Sequence, residues 1–211
     1  MVDKRVSKTR GVQHREGSNP SLPTLMIIFI VVAIIFLLLL GIIIIFTFPQ
    51  FSPIPYFPSN KKDLSIILKA LEVQKDQTII DFGAGDGVVI FAAATQAFKK
   101  KLNTQFIALD INPILTLIMQ LRRIVHPNRK NIKVMRANMF TLDIQRLLTY
   151  DLRLLTCFFY ISPRFLEPMI KKLEKVRGRK TVVSYFYPID RLKKSEISTK
   201  GIHAVYKYKL K

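Results

Sequence analysis

An uncharged apolar run near the start of the chain restricts the folds that this sequence can adopt. The segment from Leu25 to Phe48, LMIIFIVVAIIFLLLLGIIIIFTF, has no charged side chain. As a helix its 24 residues would be about 36 Å long, which exceeds the bilayer hydrocarbon core of about 30 Å. The run is too long for a signal-peptide core, and no small-residue cleavage site follows it. It therefore predicts a retained transmembrane helix over residues 25–48.

The chain is strongly basic outside this run. It holds 34 Lys and Arg against 14 Asp and Glu, a net charge of +20. The tail, residues 1–24, contributes five of these bases and two of the acids. Such an excess favours lipid headgroups or nucleic acid as partners, and a solvated basic face is the alternative. Beside a membrane helix, an anionic membrane surface is favoured over nucleic acid.

Strand and helix signals alternate after the membrane run. Residues 49–61 contain four prolines and predict an extended linker before a domain over 62–211. Strands are predicted at 78–82, 105–110, 131–137, 151–160 and 180–187, and helices at 62–71, 87–99, 113–125, 142–148 and 163–176. A hairpin turning at residues 200–201 predicts a final antiparallel strand over 202–210. The order indicates an α/β fold with a parallel sheet covered on both faces.

The turn after the first strand, DFGAGDG, has the composition of a ligand-binding loop. Gly83, Gly85 and Gly87 permit positive φ angles and close approach of a ligand to the backbone. In an open parallel sheet such a turn lies where ligands bind, and the following helix offers free N–H groups. The spacing differs from the dinucleotide pattern G-x-G-x-x-G, and no Walker G-K-[ST] follows. Asp81, before the glycines, would repel a pyrophosphate and attract a cation.

A second carboxylate follows at the end of the second predicted strand. Asp110 stands 23 residues after Gly87, where dinucleotide folds place an acid on ribose hydroxyls. A ligand with an ammonium group and a ribose would satisfy both Asp81 and Asp110, and S-adenosylmethionine is such a ligand. A tight turn capped by Asp86 is the alternative, but it explains only part of the pattern.

These segments resemble the class I S-adenosylmethionine-dependent methyltransferases. IIDFGAGDGVVI and ALDINPIL look like the first motif and the following acidic motif of that superfamily. More narrowly, PYFPSN, DFGAGDG, DINP, FLEPMIKKLE and KTVVSYFYPI, in this order behind a membrane segment, resemble protein-lysine methyltransferases that modify the ATP synthase c subunit and the adenine nucleotide translocase. The resemblance runs from about Pro55 to Tyr208. It implies a Rossmann-like class I methyltransferase sheet behind one N-terminal transmembrane helix.

The resemblance also implies a set of cofactor-binding residues. They are Asp81, Gly83, Ala84, Gly85, Gly87, Asp110 and Asn138. Asp81 would face the amino end of the methionine part, and Asp110 would hold the ribose hydroxyls. Asn138 stands where such enzymes often place an aspartate that receives the adenine amino group, and its amide oxygen can accept the same bond.

A methyltransferase of this kind has to align a neutral nucleophile with the S–CH3 bond and exclude water. A lysine nucleophile must first lose its proton, which desolvation in an aromatic channel would favour. The candidates for that channel are Tyr56, Phe159, Tyr160, Ser184 and Tyr185, and packing is the alternative role for each. The three histidines are scattered without metal-ligand spacing, so no metal site is predicted.

The function that the sequence favours is therefore lysine methylation of a membrane-associated protein by a membrane-anchored enzyme. Methylation of lipid headgroups or of RNA is one alternative, and a non-enzymatic membrane-tethered scaffold is another. The Asn/Asp-Pro-Pro-Tyr/Phe signature of amino-methylating enzymes is absent after the fourth strand, where FFYISP stands. The intact Asp81, glycine loop and Asp110 count against the scaffold.

The location of the domain rests on two opposing observations. Five basic residues precede the apolar run, and only Lys61 and Lys62 follow within about 20 residues, which places the tail in the cytoplasm by the positive-inside rule. Supply of the cofactor from the cytosol instead favours the methyltransferase domain on that side. We expect a single-pass membrane protein with a cytoplasmic domain, or a mitochondrial membrane in a eukaryote.

Overall fold

The computed structural model describes residues 22–47, 57–148 and 154–210, and the side chains of all of these except 44–47. The chain forms two compact units that divide after Ile43. The tail, most of the predicted linker and Tyr56 lie outside the described residues.

The first unit contains one long apolar helix, α1, over Leu22–Thr47. It begins three residues before the predicted run and ends one residue earlier. Its stretch Leu22–Ile43 has a mean hydropathy of 3.6 and is the candidate membrane span within the described residues. Its apolar side chains are exposed all round, which suits a helix surrounded by lipid. By length and composition, α1 can cross a membrane.

The second unit alternates helices and strands much as predicted. Its helices are α2 (Leu64–Leu71), α3 (Val88–Lys99), α4 (Pro113–Val125), α5 (Ile144–Leu147) and α6 (Pro163–Glu174). Its strands are β1 (Gln77–Phe82), β2 (Gln105–Asp110), β3 (Ile132–Arg136), β4 (Leu154–Phe159), β5 (Arg179–Tyr185), β6 (Ile197–Thr199) and β7 (Val205–Leu210).

The described strands form one sheet in the order β3-β2-β1-β4-β5-β7-β6. β1 to β5 are parallel, whereas β7 runs antiparallel to β5 and β6. This confirms the predicted α/β sheet with its C-terminal antiparallel strand. The chain moves outward from β1 to β3 and then returns to β4 on the other side of β1. The switch point between β1 and β4 is where ligands bind in sheets of this kind.

The sheet separates two apolar layers because successive strand side chains point to opposite faces. Ile79, Phe158 and Val183 pack on one face with residues of α2, α3 and α4. Ile80 and Phe159 pack on the other with residues of α6 and α5. The two rigid layers fix the ends of the central strands, which hold the site.

Helix ends follow the local capping chemistry. Asn60 accepts a hydrogen bond from the Lys62 N–H and starts a 3-10 turn before α2. Asn112 caps α4 by accepting from the Ile114 and Leu115 N–H groups, and a proline follows it. The cap directs the chain from the end of β2 straight into α4.

Candidate cofactor site

The glycine loop joins β1 to α3 at the C-terminal edge of the sheet. Gly83, Gly85 and Gly87 have φ angles of +83°, +59° and +81°. Residues with a Cβ enter this region at a cost, so the loop backbone depends on its glycines. The N–H groups of Gly83 and Ala84 both donate to the Leu109 carbonyl, at 2.9 and 2.8 Å, and fasten the loop to β2.

Gly87 is also required by its surroundings. A Cβ at this position would lie 2.7 Å from the Phe91 ring and 3.1 Å from Met119. At Gly83 the same atom would make only ordinary contacts, with Ile161 and Met139 at 3.6 and 3.7 Å. Glycine is thus required at position 83 by its φ angle alone. At position 87 it is required both by its φ angle and by the close packing of α3 against α4.

Asp110, at the end of β2, holds the loop from the other side. Its Oδ2 accepts from the Gly85 N–H at 2.8 Å, and its Oδ1 accepts from the Asn112 N–H at 2.8 Å. Burial raises the pKa of Asp110, although the N–H donors of Asn112, Gly85 and Ile111 oppose that rise. Each carboxylate oxygen has a second lone pair with which it can accept from a hydroxyl.

Asp81, near the end of β1, is the most strongly perturbed acid of the site. Its side chain is 2% exposed. Burial raises the pKa of Asp81 well above its usual range, and the charges of Asp110 and Asp86 raise it further. Burial therefore favours the protonated carboxyl, and a cation placed beside it would favour the ionised form. The roles of Asp81 toward the ammonium group and of Asp110 toward the ribose hydroxyls stay predictions.

Asp86, the third acid of the loop region, is paired with a base. Its carboxylate forms an ion pair with Arg122 of α4 at 2.9 Å, and the same guanidinium donates to the Asp86 carbonyl at 2.7 Å. The contact joins the loop to α4 across 36 residues of sequence. Arg122 was not among the predicted residues, because no local spacing signals a contact of that range.

Asn138 follows β3 and shapes a turn. Its side-chain oxygen accepts from the Phe140 N–H at 2.9 Å, and its carbonyl accepts from Thr141 and Leu142. The residue is half-buried and lies after the strand that neighbours β2. Its contact with adenine stays a prediction.

The described channel candidates lie in different environments. Phe159 is fully buried and stacks on Phe82, with ring centroids 5.0 Å apart. Ser184 is buried and donates to the Tyr187 carbonyl at 2.6 Å. Tyr160 is half-buried, and its ring lies 4.8 Å from that of the fully buried Tyr185. Among them only Tyr160 reaches the surface appreciably. All four channel roles, and that of Tyr56, stay predictions.

A buried carboxylate outside the predicted set supports Tyr185. Asp63 accepts from the Tyr185 hydroxyl at 2.7 Å and from the N–H groups of Ile202 and His203 at 2.7 and 2.8 Å. Burial opposes ionisation of Asp63, but these donors, led by His203, leave its pKa lowered. Local sequence patterns do not reveal this residue, because its partners are between 122 and 140 positions away.

Within the described ranges no group of three or more His, Cys, Asp or Glu side chains is arranged to hold a metal ion. The polar chemistry at this edge of the sheet comes from backbone N–H groups, two raised-pKa carboxyls and an amide.

The sequence is similar to a known enzyme over most of its length. It is 26% identical over 165 residues to the lysine N-methyltransferase of the ATP synthase c subunit from Caenorhabditis elegans, covering 74% of this chain and 80% of that protein. No family model matches the chain.

The fold is similar to solved methyltransferases. An RNA methyltransferase from Salinibacter ruber, crystallised with S-adenosyl-L-homocysteine, aligns with a TM-score of 0.56 and 18% identity over 73% of this chain and 94% of that chain. The 23S rRNA methyltransferase ErmE aligns with a TM-score of 0.54 and 14% identity over 74% of this chain and 70% of its own. The chain therefore has the fold of class I S-adenosylmethionine-dependent methyltransferases and is similar in sequence to a lysine methyltransferase of the ATP synthase c subunit.

Proposed function

We propose that this enzyme is anchored in a membrane by α1 and transfers a methyl group to a lysine of a membrane-associated protein. The observation that carries the proposal is the sequence similarity to the nematode enzyme, whose name states a lysine of the ATP synthase c subunit as its substrate. The long apolar helix supports a membrane location for the reaction.

The cofactor side of the reaction depends on the residues around the glycine loop. S-adenosylmethionine supplies a methyl group that its sulfonium already activates. Asp81 would bind the ammonium group, Asp110 would accept from the ribose hydroxyls and Asn138 would accept from the adenine amino group. The loop backbone would approach the ligand closely at Gly83 and Gly85. The chain's task is then orientation rather than chemical activation.

The substrate side requires a neutral amine. A lysine substrate would have to release its proton to water, so that its nitrogen lone pair is free to accept the methyl group. Burial raises the pKa of Tyr160, so its hydroxyl stays protonated and does not serve as a base at neutral pH. Tyr160 would instead supply an aromatic wall, which desolvates the amine and attracts a methylated ammonium product. The Tyr185 ring packs against the Tyr160 ring, and its hydroxyl donates a hydrogen bond to Asp63.

The location follows from the same chemistry. The domain lies on the side of the membrane that supplies S-adenosylmethionine, which is the cytoplasmic side. In a eukaryote the membrane would be a mitochondrial one. The nematode relative supports the mitochondrial setting through its ATP synthase substrate.

Transfer of radiolabelled methyl groups tests this function. The full chain would be incubated with membranes and labelled S-adenosylmethionine, and the label measured in protein, lipid and RNA fractions. We expect label in protein, recovered as methyl-lysine after hydrolysis. Asp81→Asn should reduce it strongly at S-adenosylmethionine concentrations near the dissociation constant of the unaltered enzyme, and Asp190→Asn, at an exposed acid outside the site, should not. Label confined to the lipid or RNA fraction would show that lipid or RNA, and not a protein lysine, is the substrate. Absence of both label and cofactor binding would favour a non-enzymatic scaffold.

A further inference from the structure

Helix α4 presents an apolar stripe to solvent. Leu117, Leu121, Ile124 and Val125 are 59%, 57%, 61% and 82% exposed. Their spacing of four, three and one residues places them on one side of the helix. The opposite side, with Leu115, Thr116 and Met119, is buried against the sheet. Single exposed apolar residues are ordinary, but a contiguous stripe indicates an interaction surface.

The end of α3 widens this stripe. Thr95 and His126 form a hydrogen bond of 3.0 Å, and Asn128 donates to the Ala94 carbonyl at 3.1 Å. These bonds bring the last turn of α3 beside the end of α4. Phe98 lies in that turn and is 51% exposed. We name the surface formed by Phe98, Leu117, Leu121, Ile124 and Val125 the α4 face.

Positive charge surrounds the α4 face. Residues 113–136 contain no Asp or Glu, and their bases are Arg122, Arg123, Arg129, Lys130, Lys133 and Arg136. Three further lysines, residues 99–101, follow Phe98 directly and are exposed. Arg122 is engaged by Asp86 and Arg123 by the Ile132 carbonyl, whereas Lys130 and Lys133 extend into solvent. The surface is therefore apolar along its centre and cationic at its margins.

We propose that the α4 face lies on an anionic membrane, with its apolar side chains at the boundary between headgroups and acyl chains. Apolar residues flanked by Lys and Arg are the features of helices that lie in a membrane interface. Anionic headgroups complement the basic margin, and each nearby base adds to the attraction. A second copy of this chain would bring a surface of the same charge, which repels.

This placement goes beyond the proposed function and does not depend on lysine being the substrate. Helix α4 begins three residues after Asp110, so its start is beside the cofactor site. A helix lying in the interface would keep that site within about one helix diameter, ~10 Å, of the headgroups. The methyl group would then be presented at the depth where a membrane protein meets water.

Tryptophan fluorescence can test the placement, because the chain contains no tryptophan. Leu121→Trp and Ile197→Trp would each be made in the full chain and reconstituted into vesicles. Ile197 is the matched control, since it is 58% exposed on strand β6. The lipids would be phosphatidylcholine alone or mixed with phosphatidylglycerol, with brominated acyl chains as quenchers. Binding of S-adenosylmethionine by both variants would establish that they fold.

We expect Leu121→Trp to emit at shorter wavelength and to lose fluorescence to the brominated lipid when phosphatidylglycerol is present. Ile197→Trp should keep the emission of a solvated indole. A blue shift of Leu121→Trp without quenching would show that protein covers the α4 face and would overturn the proposal. Equal quenching in pure phosphatidylcholine would also overturn it, because anionic headgroups would then play no part. Neither outcome bears on methyl transfer, which is measured separately.

Discussion

At the scale of single residues, the protonation state that suits Asp81 differs between the unliganded and the cofactor-bound enzyme. Its raised pKa means that the folded protein holds a proton that the unfolded chain releases above pH 3.8. Burial of this acid therefore lowers stability as pH rises from 3.8 towards the raised folded-state pKa. A bound ammonium would reverse the preference, because the ionised carboxylate would become its partner.

Asp81→Asn should therefore stabilise the unliganded protein at neutral pH and weaken cofactor binding. Loss of one charged hydrogen bond, about 1.5–3 kcal/mol, predicts roughly 10- to 100-fold weaker binding of S-adenosylmethionine. Denaturant unfolding and titration calorimetry measure the two effects. Binding to the unaltered enzyme should release protons, seen as a dependence of the heat on the buffer. If the variant bound S-adenosylmethionine as tightly as the unaltered chain, Asp81 would not be part of the cofactor site.

Gly87→Ala should destabilise the domain without any change in charge. The positive φ and the overlap with Phe91 and Met119 together predict a loss of about 2 kcal/mol or more. Gly41→Ala is the control, because its added Cβ meets no atom within 4 Å. Chemical denaturation of the two variants would measure the difference. Equal midpoints would mean that the loop tolerates a side chain.

At the scale of elements, Asp63 joins the start of α2 to the loop before β7. Its three donors come from Tyr185, Ile202 and His203, and its lowered pKa shows that they stabilise the ionised form. The stabilisation is therefore present above pH 3.8 and is lost as pH falls through the lower folded-state pKa. Gly201 lies so close that a Cβ there would overlap the Asp63 carboxylate.

Asp63→Asn should thus lower the thermal midpoint at neutral pH and flatten the loss of stability below about pH 4. The asparagine side chain keeps one acceptor oxygen, but its NH2 group takes the place of the other oxygen and faces hydrogen-bond donors. Gly201→Ala should lower the midpoint through the overlap, with Asp190→Asn as a surface control. Circular dichroism melts at acidic and at neutral pH would measure both. An unchanged midpoint in both variants would show that this junction contributes nothing to stability.

The elements also show what could be predicted from the sequence. The strands from β1 to β5 are short apolar runs bounded by turn residues, so local pattern was enough to find them and to place Asp81 and Asp110 at one edge. The partners of Asp63 and Asp86 depend on contacts between distant segments, which no local pattern encodes. Helix α4 carries the polar residues Thr116, Gln120 and Arg123 on a different side from Leu117 and Leu121, so periodicity alone would have buried these two leucines, which the structure exposes.

At the scale of the whole molecule, the candidate cofactor site and the candidate membrane span belong to different units. The glycine loop, Asp81 and Asp110 all lie in the second unit, whereas α1 lies mainly in the first. Anchoring confines enzyme and membrane substrate to one surface, which raises their effective concentration without adding a contact. Cofactor affinity should therefore be independent of the anchor, and methylation of a membrane protein should depend on it.

Removal of residues 1–48 should consequently leave the affinity for S-adenosylmethionine unchanged and reduce methyl transfer to membrane-embedded substrate, by roughly 100-fold or more. Replacement of α1 by an unrelated apolar helix of equal length should restore the transfer if α1 acts only as an anchor. Calorimetry and label incorporation into reconstituted membranes measure the two quantities on the same three proteins. Restored anchoring without restored transfer would instead assign substrate recognition to the side chains of α1. Transfer by the shortened chain at the full rate would show that the second unit reaches its substrate without α1. The α4 face would then be the candidate surface for its contact with the membrane.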